Sequence, residues 1–173
     1  MIIDIFKDKV IPLLNEGREL KAHFVWGDSS YIRETLLTLK KSSATAPFRY
    51  PLIGLYAPID ETVNTDGGMN ASVNVIIAVN TLPEYTNEQR LEISFKGVLR
   101  PLYEDFLNAV KGCKRFYIPY EGIIPHTYVE NYSFGRRGAL DVDGKEMDEK
   151  IDAIEIKNLE LNFIKQTCYA NRL

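Results

Sequence analysis

Val73-Asn-Val-Ile-Ile-Ala-Val79 decides the fold, together with Pro51-Leu-Ile-Gly-Leu-Tyr56 upstream of it. Both runs are short, apolar and bounded by turn residues, as strands are. In the later run Val73, Val75, Ile77 and Val79 fall on one face, Ile76 and Ala78 on the other. A strand with two apolar faces needs cover on both, which puts it in the middle of a sheet. The polar stretch from Asp60 to Asn70 contains Asp66-Gly67-Gly68 and reads as the turn side of a hairpin joining the two strands. Aspartate in place of Ile77 would bury an unpaired charge and is expected to prevent folding.

Before these strands, Ile2, Ile3, Phe6, Val10, Leu13 and Leu14 form one apolar face at helical spacing. Pro12 disfavours helical geometry at Ile11, so this helix is expected to kink or stop there, with Gly17 ending it in any case. Ala22 to Gly27 reads as a short strand in which His23 is a sheet-face residue. Asp28-Ser29-Ser30 offers caps for a helix from about Tyr31 to Lys41, with Ile32, Leu36 and Leu39 inward.

Beyond Val79, Thr86-Asn-Glu-Gln89 has the form of a capping box. Gly97 and Pro101 weaken a single straight helix, so a helix is expected over about Val98 to Val110, with Glu88 to Lys96 a short helix or structured loop. Ile151 to Phe163 alternates apolar and charged residues and slips phase near Asn158, which predicts a bulged strand with one side toward water or a polar channel. These elements make an α+β fold: a mixed, mainly antiparallel sheet of four to five strands packed with two to three helices, in one domain spanning residues 1–173.

The segment Phe116 to Phe134 is aromatic but broken by Pro119, Gly122 and Pro125. A free loop of this kind would expose more apolar area than monomers usually do, so it either folds over its own core or is covered by another chain. With Arg136 to Lys150, polar and charged, it forms an expected extended arm over residues 116–150. Candidate interface residues are Tyr120, Tyr128, Tyr132, Phe134, Arg136 and Arg137, tyrosine being enriched at interfaces. Tyr132→Ala or Arg137→Glu is expected to leave the monomer folded and to impair assembly.

The net charge of −3 argues against a general nucleic-acid binder, and no apolar run approaches the ~20 residues of a membrane-spanning helix. The start, Met1-Ile-Ile-Asp-Ile-Phe6, has no basic leader, so no secretion signal is expected. Cys113 and Cys168 stand far apart and read as reduced thiols. His126 and Glu130, with Asp141, Asp143 and Glu146, could gather around a metal; the His126-x-x-x-Glu130 spacing would suit a helix, but the segment is aromatic and follows Pro125. Asp141-Val-Asp143-Gly144 lacks the further donors of a calcium loop and reads as a solvated turn. Gly135-Arg-Arg-Gly138 lacks the lysine and hydroxyl of a phosphate loop. No catalytic residue, cofactor or metal is expected.

Four stretches carry a resemblance: Phe24-Val-Trp-Gly27, Arg49-Tyr-Pro-Leu-Ile-Gly-Leu-Tyr56, the run Val73 to Tyr85 with Arg100-Pro-Leu-Tyr-Glu-Asp-Phe-Leu107, and Asp152-Ala-Ile-Glu-Ile-Lys-Asn-Leu-Glu-Leu161. In this order they resemble the tail terminator, or tail-completion, proteins of long-tailed bacteriophages. The resemblance implies a virion protein made in the bacterial host cytoplasm. It implies a ring, often of six copies, between the tail tube and the head–neck connector, with DNA passing through its lumen and no reaction or cofactor. Alternative readings are a metal-dependent hydrolase around His126 and Asp143, and a monomeric adaptor that holds another protein.

Overall fold

The computed structural model describes residues 2–40, 44, 49–65, 67–82, 84–119, 121–132 and 150–164. Strands β1 (His23–Gly27), β2 (Leu52–Val63), β3 (Gly68–Thr81), β4 (Phe116–Tyr117), β5 (Thr127–Asn131) and β6 (Lys150–Ile164) form one six-stranded sheet. The order is β1-β2-β3-β6-β4, with β5 also paired to β6. Only β1 and β2 run parallel; the remaining pairs are antiparallel. The α+β class and mainly antiparallel sheet match the sequence reading, and β3 lies in the middle as its two apolar faces require.

The strands of the hairpin are longer than their apolar runs. Most of the polar stretch 60–70 is strand, and the reversal is confined to a tight turn in which Asn64 N–H donates to Gly68 and Gly67 N–H to Asn64. Gly67 has φ +84, which glycine adopts without strain. The polar residues there are tolerated because only one side of this end of the sheet is covered: Met69, Ala71 and Val73 are buried while Asn70, Ser72 and Asn74 are exposed.

Among the described residues, three helical bodies cover the sheet. Helix α1 spans residues 2–14, α2 is Ser29–Lys40 and α3 spans residues 87–112. Phe6 and Val10 of α1 and Phe95, Leu99 and Phe106 of α3 pack with Val73, Val75, Ile77 and Val79 in the larger core. On the other face Ile32 and Leu36 of α2 cover Leu52, Ile76, Ala78 and Ala153. Gly54 makes this contact possible, since a Cβ there would lie 2.6 Å from Ile76 Cγ2.

Both helices doubted for their prolines are continuous. In α1 the segment Phe6–Val10 is π-helical and sits just before Pro12; in α3 the π-helical segment Leu91–Leu99 sits just before Pro101. A proline ring collides with the carbonyl four residues back and offers no N–H. Widening the preceding turn to an i→i−5 bond, Ile11 N–H to Phe6 and Arg100 N–H to Phe95, absorbs that collision without ending the helix. The expected start near Val98 therefore moves back to Asn87, where Thr86 and Gln89 form the anticipated capping box.

The bulge in β6 is where the phase slip placed it. Asn158 has φ +53, the register with β3 shifts between Val73 and Val75, and the Asn158 N–H donates to Asn74 Oδ1 at 3.0 Å. Beyond the bulge Leu159, Leu161 and Phe163 are buried and Glu160 and Asn162 exposed. Before it, Ile151 to Ile154 is buried on both faces, because α2 covers this end as well. The aromatic segment largely folds back on its own chain, adding β4 and β5 to the edge of β6, with Phe116 and Ile124 buried. No helix among the described residues is long and apolar enough to cross a membrane.

Candidate functional site

Two arginine–carboxylate–tyrosine clusters tie α3 to the strands at the β5 side of the sheet. The first follows from the parity of β6: Asp152 points to the same face as Ile154 and Ile156, and so into the core. It is fully buried and needs a cation. Arg90, in the first turn of α3 and 3% exposed, supplies it by donating to Asp152 Oδ1 and to the backbone carbonyl of Tyr132. Its guanidinium lies 5.3 Å from the Tyr132 ring centroid, and that ring stacks on Phe95 at 4.2 Å. Thr81 and Ser94 are buried in hydrogen-bond contact between β3 and α3.

The second cluster is open to water. Arg100 Nε and the Tyr128 hydroxyl both donate to Glu130 Oε1, each at 2.7 Å. The Arg100 hydrogen bond holds the Glu130 carboxyl below its ordinary range, and burial followed by the hydrogen bond to Glu130 pushes the Tyr128 hydroxyl above the usual tyrosine range. The Tyr128 ring meets Tyr103 edge-on at 4.9 Å. His126 completes the line: its Nδ1–H donates to the Ile124 carbonyl, which leaves Nε2 to accept from the Tyr103 hydroxyl, both at 2.7 Å.

The candidate interface residues therefore part company. Tyr128 remains at the surface, 38% exposed, on β5. Tyr132 is half-buried against the larger core. Its truncation is expected to cost stability through the core contacts it makes, where the sequence reading expected a folded monomer with impaired assembly. Tyr120, Phe134, Arg136 and Arg137 lie outside the described residues, as do Asp141, Asp143 and Glu146.

The two described members of the hydrolase set are engaged elsewhere. His126 and Glu130 border and occupy an extended strand, where four positions separate Cα atoms by about 13 Å, and not a helix that would bring them together. Among the described residues no group of three or more potential ligands converges. Arg90, Arg100, Tyr103 and Asp152 were not singled out from sequence. Of these, only Asp152 carried a usable signal, its parity with Ile154 and Ile156.

A concavity lies apart from these two clusters. A groove of about 970 Å³ runs between the last turns of α1 and the C-terminal end of α3. Lys7, Lys9, Lys21, Lys114 and Arg115 line it, against the carboxylates of Asp8 and Glu16. Its floor is set by Asn15, whose side chain bonds both the N–H and the carbonyl of Ala22 at 2.8 and 2.9 Å and so fixes the turn into β1. Cys113 caps α3 beneath it as a buried free thiol.

Among the described residues, the outer edges of β1 and β5 carry no strand partner. Beside β1, Trp26 is 41% exposed with Lys7 over its ring, and Leu20 and Tyr31 are exposed as well. No family model matches the chain, and no curated protein is detectably similar to it in sequence.

Proposed function

We propose that the chain is a structural assembly protein, a ring-forming subunit of the tail terminator or neck of a long-tailed bacteriophage, which joins the tail tube to the head–neck connector without carrying out a reaction. The observation that carries this reading is the pair of dissimilar sheet edges. One ends in β1 with Trp26 and Tyr31 exposed, the other in β5 with Tyr128 exposed. A subunit with two different adhesive borders contacts its neighbours head to tail, and such a contact closes into a ring when the rotation permits. Each contact would bury on the order of 1,600 Å².

The element order supports the same reading: helix, strand, helix, two hairpin strands, helix and a late strand follow in the order that resembles this family. In that setting the copies, often six, surround a lumen through which DNA slides. A net charge of −3 suits such a channel, because strong phosphate contacts would hold the DNA back. The protein would be made in the bacterial host cytoplasm and end in the virion.

Mass measurement in solution, with electron microscopy of the purified protein and of assembled tails, tests the proposal. The expected result is a closed ring and a place at the end of the tail tube. A strict monomer that never joins a tube would overturn it.

A further inference from the structure

We propose that subunits join by continuing one sheet into the next, β1 of one copy pairing antiparallel with β5 of its neighbour in a register that sets Trp26 opposite Tyr128. This rests on the ring reading above and names the strands that meet. The polarity of the sheet comes first. β1 and β2 run the same way, and β3, β6 and β5 then alternate, so β1 and β5 point in opposite directions. A second copy set beside the first in the same orientation brings its β1 against β5 as an antiparallel pair, slightly the more stable kind. Within one subunit β2, β3 and β6 stand between these two strands, which puts them about 19 Å apart at four strand spacings. The pair therefore forms only between copies.

The register follows from length, side-chain parity and backbone direction. Both strands have five residues. Laid flush, Phe24 faces Glu130, Val25 faces Val129 and Trp26 faces Tyr128. Trp26 lies opposite Leu55 and Tyr128 opposite Ile156 in their own sheet, so both exposed rings stand on the face of the larger core. Val25 packs on the α2 face, and Val129, opposite Glu155 and so in line with Ile76, stands on that face too. His23 N–H donates inward to the Pro51 carbonyl at 2.9 Å, so alternation turns the backbone groups of Phe24 and Trp26 outward. Asn158 N–H donates toward β3, which turns Lys157 and Glu155 toward Thr127 and Val129 and leaves Tyr128 and Glu130 facing outward. Outward groups thus meet outward groups, and a slip of one residue would lose them. Charges at the two borders also match. Lys7, over the Trp26 ring, and Lys21 outnumber Asp28 beside β1, while Glu130 and Glu104, on the helix stripe of Arg100 and Tyr103, outnumber Arg100 beside β5.

Disulfide trapping in the full chain tests this. Val25 and Val129 form a non-hydrogen-bonded pair in the flush register, with Cα atoms about 4.5 Å apart and within reach of a disulfide. Oxidised V25C/V129C is expected to give a ladder of covalent oligomers on a non-reducing gel, ending at the ring. Mixing V25C with V129C should give a covalent dimer and nothing larger. Either single variant alone should not exceed the wild type, whose own Cys113 and Cys168 set the background. V25C/T127C, two residues out of register, should crosslink at least about tenfold less. Trp26→Ser should raise the concentration needed for assembly, read by sedimentation velocity, by at least about tenfold with unchanged far-ultraviolet circular dichroism.

Rings that form with neither the V25C/V129C ladder nor the mixed dimer would overturn this inference and leave the ring reading standing. Crosslinking of V25C to itself would mean that β1 pairs with β1 across a two-fold axis, which removes both. So would a wild type that stays monomeric at every concentration.

Discussion

Arg90 and Arg100 lie ten residues apart on one helix, and each holds a carboxylate and a tyrosine from the β5 and β6 side of the sheet. The chemistry of the two clusters is the same; their surroundings are not. The Arg90 and Asp152 side chains are 4% and 0% exposed, those of Arg100 and Glu130 42% and 20%. In water an ion pair gains little over its hydrated parts, whereas in the core a charge left alone has no solvent to replace its partner. The inner cluster is therefore a structural anchor for the start of α3 and the end of β5. The outer one is an adjustable surface feature that presents Tyr128.

Removing one side of the inner pair should have the largest effect. Asp152→Ala is expected to lower unfolding free energy by about 3–5 kcal/mol, read from urea denaturation, because the Arg90 charge stays buried. A loss below about 1 kcal/mol would erase the distinction between the clusters. Tyr132→Ala should cost about 2 kcal/mol through the lost ring contacts with Phe95 and Arg90, while the folded fraction still assembles as wild type does.

Replacing both inner partners by apolar residues, as in R90M/D152L, should cost less than Asp152→Ala alone, within about 1 kcal/mol of wild type, since no charge is then stranded. A double variant as unstable as the single one would mean that the hydrogen bond to the Tyr132 carbonyl matters more than the ion pair.

Glu130→Gln should have the smallest effect, below about 1 kcal/mol at neutral pH. Its sign with pH is set by the lowered folded-state value of Glu130. Near neutrality the carboxylate is ionised in both folded and unfolded chains, and the Arg100 contact contributes in full. As pH falls below the ordinary glutamate value of about 4.3, the unfolded chain takes up its proton first, and the contribution is lost as pH passes through the folded value. Wild type and Glu130→Gln should thus converge in acid, and a difference that grows there would contradict the assignment.

Much of the fold could be read before any coordinates. The assignment of Val73, Val75, Ile77 and Val79 to one core and of Ile76 and Ala78 to the other is reproduced residue for residue. The capping box at Thr86 and the bulge at Asn158 also stand where they were placed. Strands β4 and β5 were not read as strands because edge strands this short, set among prolines and glycines, have no period of their own. Their shape is imposed by the open edge of β6. The prolines misled for a related reason, since a local rule disfavours the helix while packing of Phe6, Phe95 and Phe106 favours it, and a π turn reconciles the two.

The pattern of apolar residues along the chain was enough by itself to specify the class of fold, the central place of β3 and most of the inward face of α1, from which Leu13 turns out exposed while Ile5 and Ile11 are buried. Those properties depend only on the repeat of a strand or helix and on the removal of hydrocarbon from water. Which charges pair was decided by tertiary structure alone. Arg90 meets Asp152 across sixty-two positions, and Arg100 meets Glu130 across thirty. Five basic side chains from three separate stretches meet in one groove only because α1 and α3 end on the same side of the sheet. Coulombic and hydrogen-bond contacts act over a few ångströms, and distances that short between remote residues exist only once the chain is folded.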